Sequence, residues 1–269
     1  MSARKRLYTL LLCGAAILLF LGCTLSRIGV TRAEVGELRR DSVIIERQDA
    51  ESVRVQIRIG AGELRIDGGA EELLEAEFAY NVPAWEPVVT YDVTDGEGRL
   101  TVRQPSTERI AVGTRMRYEW DLRFDALTPL DMRIETGAGR QDINLTGLQV
   151  TRLDVNLGAG DASINVSNNP ALERLQFDIG VGMVDIDMRG PWDQDVDVTV
   201  QGGVGTTSLR LPAEIGVRVE IDRGLGTVDT SGLTRDGGAW VNQAYGTADV
   251  TMNLRIRSGV GTITLDVQD

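Results

Sequence analysis

The sequence predicts an all-β protein. Stacked Gly-x-Gly rungs form a β-solenoid of the β-helix kind, and an N-terminal β-rich region caps the first coil. Three observations carry this expectation. A Gly-x-Gly core recurs seven times: at Gly60 and Gly62, Gly137 and Gly139, Gly158 and Gly160, Gly180 and Gly182, Gly203 and Gly205, Gly224 and Gly226, and Gly259 and Gly261. The successive gaps from Gly137 to Gly224 are 21, 22, 23 and 21 residues, a period that belongs to solenoids, propellers or arrays. Every second residue before a core is apolar, as in Leu153, Val155 and Leu157, which is the signal of a strand with one buried face.

After each core the apolar positions change parity, to Ile164 and Val166 in one rung and to Val184, Ile186 and Met188 in the next. A strand cannot shift its buried set by one residue without a kink, and glycine permits one because it lacks a Cβ. The residue between the glycines is small or apolar throughout: Ala61, Ala138, Ala159, Val181, Val204, Leu225 and Val260. A single rung cannot bury its own apolar face, so its stability comes from its neighbours. The alternative is a meander of antiparallel hairpins with Gly-x-Gly as the turn. Alternation running to the corner on both sides, and the absence of Asn-Gly or Asp-Gly at the corners, favour the solenoid.

Four regions are expected. Residues 1–22 read as a signal peptide, 23–41 as a polar tether, 42–130 as the N-terminal β-rich region with the first rung, and 131–269 as the repeats. In the first, Arg4, Lys5 and Arg6 precede an apolar run from Leu7 to Leu21. Phe20-Leu21-Gly22-Cys23 then resembles a bacterial lipobox, which implies a diacylglycerol thioether on Cys23. An uncleaved signal anchor and plain secretion are the competing readings; all three place the body outside the cytoplasm.

Within the third region, Val43-Ile44-Ile45 reads as a short strand and residues 52–67 as the first rung. Gly68-Gly69 is a turn. Residues 73–80 read as a strand although Glu71-Glu72-Leu73-Leu74-Glu75 looks helical. Residues 88–93 and 99–103 flank Asp95-Gly96-Glu97-Gly98 as a hairpin. Residues 106–113 are a loop or short strand, and 117–126 alternate Tyr118, Trp120, Leu122 and Phe124 on one face. Pro129 opens the regular run. Two insertions break the series of rungs: residues 233–250 lengthen the gap between Gly224 and Gly259 to 35 residues, as an extra hairpin or an extended corner, and the 77-residue gap from Gly60 to Gly137 holds the more aromatic N-terminal half.

Composition narrows the chemistry. Apolar residues make up 42% and aromatics only 5%, which suits narrow rungs filled by aliphatic side chains. Of the two cysteines, Cys13 lies in the signal segment, so the folded body has no disulfide framework. Without Arg4, Lys5 and Arg6 the basic count falls from 28 to 25 against 40 acidic residues, a net charge of −15. Such a surface disfavours nucleic acid.

These stretches together resemble the bacterial toast-rack proteins, which are related to the LiaF C-terminal domain and to adhesin-like β-solenoid repeats. The resemblance runs over roughly residues 40–269. It is carried by Ser52-Val-Arg-Val-Gln-Ile-Arg-Ile-Gly-Ala-Gly-Glu-Leu64, by Pro129-Leu-Asp-Met-Arg-Ile-Glu-Thr-Gly-Ala-Gly139, by Leu209-Arg-Leu-Pro212 and by Gly259-Val-Gly-Thr-Ile263. It implies a stacked β-rich fold with no known catalysis. Through LiaF it implies a link to envelope-stress signalling.

The residue inventory agrees with a non-enzymatic role. The chain contains no histidine, and its body no cysteine, which removes the usual catalytic bases, thiol nucleophiles and zinc ligands. No cofactor is expected. Residues 154–197 carry nine carboxylates against Arg174 and Arg189, and most fall at outward positions. A solvated face explains them; the sharper reading is a weak calcium site from Asp161, Asp185 and Asp187, and a carbohydrate-cleaving solenoid is a more remote one. The Gly-x-Gly cores lack the following helix and lysine of a phosphate cradle. Asn144-Leu-Thr146 and Asn165-Val-Ser167 match the glycosylation pattern. Trp85, Trp192 and Trp240, near turns with Pro or Gly, are candidate stacking platforms for a glycan or a protein, although capping of the rung ends is the commoner reason for such residues. The expected protein is a membrane-anchored, extracytoplasmic interaction or envelope-stress-signalling accessory, held by its lipid and facing an unidentified envelope protein. The alternative is an adhesin or glycan-binding module.

Overall fold

The structure, a computed structural model, describes residues 35–105 and 116–268. Seven strands carry the glycine cores: β2 (Ser52–Gly68), β7 (Pro129–Asn144), β8 (Gln149–Asn165), β9 (Arg174–Asp187), β10 (Val196–Pro212), β11 (Gly216–Ser231) and β14 (Thr251–Gln268). They pair in parallel, with their glycines in register: Gly62 faces Gly139, then Gly160, Gly182, Gly205, Gly261 and Gly226. Parallel pairing excludes the hairpin meander.

Each of these strands must fold back on itself. The 17 residues of β8 would span about 55 Å if straight. Yet residues 145–148 return the chain from the end of β7 to the start of β8, and four residues bridge at most about 18 Å. The bend falls at Gly-x-Gly, so the first halves of the strands form one layer and the second halves another. Leu153, Val155 and Leu157 from one layer, and Ala162, Ile164 and Val166 from the other, are buried in a shared aliphatic core. This accounts for the change of parity across each corner.

The rungs do not stack in chain order. β14 lies between β10 and β11, pairing with both along their whole length. The long insertion makes this possible: after β11 the chain leaves through β12 (Thr234–Asp236) and β13 (Ala239–Val241), an antiparallel hairpin whose second strand pairs with Arg218–Glu220. Buried Asn242 fixes the excursion. Its Oδ1 accepts from the Val217 N–H at 2.9 Å and its Nδ2 donates to the Ile215 carbonyl at 2.7 Å.

At the other end the two layers part. β5 (Glu97–Arg103) and β4 (Val88–Thr94) extend the first layer from β2. β6 (Tyr118–Phe124), β3 (Leu74–Tyr80) and β1 (Arg39–Ile45) extend the second. Between them Phe78, Tyr80, Trp85, Tyr118 and Trp120 pack edge to face. Large rings fill the wedge that single aliphatic rows leave where layers diverge. The turn between β4 and β5 is two residues long, with Asp95 and Gly96 both at positive φ, as a type I′ hairpin requires. Residues 73–80 are indeed extended, from Leu74, because pairing with β6 buries Leu74, Ala76, Phe78 and Tyr80 at period two.

Candidate interaction surface

The folded corners build the most distinctive surface. Each second glycine has φ between 134° and 152°, where only glycine sits without strain. Each first glycine from Gly137 onward has ordinary φ, but a Cβ there would overlap the carbonyl of the glycine in the neighbouring rung. The first glycine is thus required for close approach alone, and the second for conformation as well as close approach. Gly60 is the exception: it meets only the flexible Gln104 side chain, whose Oε1 accepts from the Gly60 N–H at 2.7 Å.

The residue between the glycines points outward. Alternation within the first half-strand would have carried it inward, and the reversal at the bend is what turns it to solvent. Val181, Val204, Val260 and Leu225 follow one another on adjacent strands and are 46–75% exposed. Exposed Met183 flanks this ridge. At about 4.8 Å per strand the four aliphatic side chains form an unbroken line roughly 15 Å long. On the far side Ala138, Ala159 and Ala61 continue it at low relief.

The outer faces of both layers are charged. In the first, Arg54 meets Glu97 and Asp131, Arg152 meets Asp131, and Arg133 meets Asp154 and Glu135. All but Arg133–Glu135 join neighbouring strands; they are largely solvent-exposed and contribute little each. In the second layer, strands β1, β3, β6, β2 and β7 curve around a groove of about 510 Å³ lined by Arg40, Glu63, Arg65, Glu77, Glu119 and Asp121, among others. The groove brings together residues up to 100 positions apart, so no local sequence signal marks it.

The structure separates the proposed calcium ligands. Asp161 lies opposite Met183, Asp185 opposite Ser163, and Asp187 opposite Asn165. They occupy three successive heights on the strands, so the outer two are about 13 Å apart along the strand direction. Asp187 is also engaged: its carboxylate accepts from Arg189 Nη2 at 2.8 Å and lies 3.7 Å from Arg210. Burial works to raise its pKa, but the Arg189 side chain and N–H, with Arg210, outweigh that and hold it below the usual carboxylate range. Among the described residues no three Asp or Glu side chains converge on a metal position.

Two of the three tryptophans are not platforms. Trp85 and Trp192 are buried, and Trp192 Nε1 donates to the Met188 carbonyl at 2.9 Å. Trp240 is half-buried with the Arg235 guanidinium over its ring at 5.6 Å. The glycosylation-like triplets have a structural role. Asn144 and Asn165 accept from the backbone N–H two residues on, in Thr146 and Ser167, and so close their rungs with Asx turns. Asp187 does the same for Arg189. Cys23 and the signal segment lie outside the described residues.

No curated protein matches the chain. Residues 34–171 and 168–210 match the family model described as the N-terminal domain of toast_rack, DUF2154. The chain belongs to this family. The toast_rack match runs from β1 into β10, while β11, β14 and the hairpin between them lie beyond it. Among solved structures, the chain is similar to a candidate cell adhesion protein from Clostridium sporogenes ATCC 15579. The two share 26% identity and a TM-score of 0.66 over 86% of this chain and 100% of that one. A candidate adhesin from Bacteroides fragilis NCTC 9343 aligns at 14% identity and a TM-score of 0.42, covering 85% of this chain and 97% of that one.

Proposed function

We propose that the chain is a non-enzymatic, membrane-tethered extracytoplasmic module that binds another envelope or surface protein in the manner of an adhesin. The exposed aliphatic ridge of Val181, Val204, Val260 and Leu225 carries this reading. Contiguous apolar side chains on a rigid frame mark contact surfaces more often than isolated ones do. The likeness to a candidate cell adhesion protein over that protein's entire length supports it. The residue inventory supports a binding role, since neither histidine nor a body cysteine is available for acid–base or nucleophilic work. A sensor of envelope stress is one partner that fits this frame, and the Cys23 lipid would keep the module at the membrane.

Site-specific photo-crosslinking tests the reading. A photoreactive residue at position 204 in intact cells is expected to yield a discrete protein adduct, absent when the same probe replaces outward Asp142. Equal labelling at both positions, or none at 204, contradicts it. Cys23→Ala is expected to move the protein from the membrane fraction to the soluble one; unchanged fractionation removes the lipid anchor. A glycan-binding reading has less support, because burial of Trp85 and Trp192 leaves only Trp240 of the three with exposed ring surface.

A further inference from the structure

The second layer ends in two open edges that match each other. Among the described residues, β1 at one end pairs only with β3, and β11 beyond Glu220 at the other pairs only with β14. β1 is antiparallel to β3, β3 antiparallel to β6, and β6 parallel to the rungs, so β1 and β11 point the same way. A copy added end to end would therefore continue the layer by parallel pairing. The first layer ends differently: the β12–β13 hairpin, with strands of three residues each, caps it at the far end and β4 closes it at the near end, so its two ends do not match one another.

Both edges carry features that a pairing strand would satisfy. The inward positions of the last half-rung, Val228 and Thr230, are only half-buried, whereas their counterparts Ile263 and Leu265 on β14 are fully covered. The outer face of β1 carries Arg40 and Ser42, and that of β11 carries Asp229 and Ser231. Neither Arg40 nor Asp229 makes an ion pair among the described residues. Unpaired strand edges of this kind recruit another strand.

We infer that the chain assembles head to tail with copies of itself, β11 of one copy pairing in parallel with β1 of the next and Asp229 facing Arg40. The contact is heterologous, so it generates an open row of molecules that extends the second layer from copy to copy. This inference stands apart from the ridge and does not depend on what the ridge binds.

Cysteine trapping tests it in the full chain carrying Cys13→Ser and Cys23→Ser, so that only introduced thiols can react. Ser42→Cys and Ser231→Cys, each alone, should stay monomeric under mild oxidation. Their mixture should give a covalent dimer, and both changes in one chain should give a ladder. A homodimer from either single variant, or no ladder from a double variant that melts like its parent, overturns the proposal. Sedimentation equilibrium provides a second reading. Arg40→Glu should weaken self-association about tenfold through like-charge repulsion, and adding Asp229→Arg should restore it. Failure of the swap to restore association would equally refute the Arg40–Asp229 contact.

Discussion

At the scale of single residues, the glycine column decides the fold, and it does so by two mechanisms with different tolerances. Gly160→Ala places a Cβ both at φ 134° and against the Gly139 carbonyl. It should cost at least about 1–3 kcal/mol. Gly158→Val should cost a comparable amount through overlap with the Gly137 carbonyl alone. Gly60→Ala, which displaces only the end of Gln104, should stay within about 0.5 kcal/mol of the parent. Urea unfolding of the three variants checks this; a cost for Gly60→Ala as large as for the other two would refute the distinction. Gln141 is a flaw in the interior: its side chain is buried and its Nε2 has no partner among the described residues. Gln141→Met should raise stability by about 1 kcal/mol, since an orphaned donor is replaced by a group of similar length. The glycines were legible in the sequence because their spacing repeats. Their separate roles were not, because close approach between rungs is a property of neighbours far apart in the chain.

At the scale of elements, each rung end is a small repeated device. Asn144, Asn165 and Asp187 occupy equivalent positions and make equivalent Asx turns, so Asp187→Asn keeps the turn and removes only the ion pairs with Arg189 and Arg210. Because the folded carboxyl is held below its unfolded range, its contribution is complete above about pH 5 and is lost as pH falls through the folded value. Asp187→Asn should thus cost about 0.5–1 kcal/mol at neutral pH, with the difference vanishing in acid. Parallel melting curves from neutral to acid pH read this directly; a gap that widens in acid contradicts it. The rungs and β3 were legible from period-two alternation, β1 from its apolar run Val43-Ile44-Ile45, and the β4–β5 hairpin from its Asp95-Gly96 turn. The calcium reading of Asp161, Asp185 and Asp187 failed because alternation tells which face a residue takes but not its height on the sheet. For the tryptophans the capping reading fits better than the platform one: Trp85 is buried in the aromatic wedge and Trp192 in the connection between β9 and β10.

At the scale of the molecule, the order of the rungs was beyond the reach of the sequence. All seven cores look alike locally, and nothing in the spacing says that the last strand returns to lie between β10 and β11. That placement makes β14 the strand that ties the end of the stack together, with a full-length partner on each side. Ending the chain at Val250 should therefore deprotect β10 and β11 together in hydrogen exchange, while β2, β7 and β8 keep their protection. Loss confined to β11 would argue for a linear stack. The ridge and the open edge both inherit their geometry from this arrangement, since Val260 separates Val204 from Leu225 only if β14 is interleaved.

Disulfide trapping along the ridge therefore tests the account most directly. The body carries no cysteine of its own, and a parallel neighbour at about 4.8 Å lies within bridging range whereas the next strand, at twice that, does not. The account predicts that Val204→Cys with Val260→Cys closes an intramolecular disulfide under mild oxidation, and that Val204→Cys with Leu225→Cys does not. The opposite pattern would place β11 beside β10 and contradict the fold, the ridge and the open edge together.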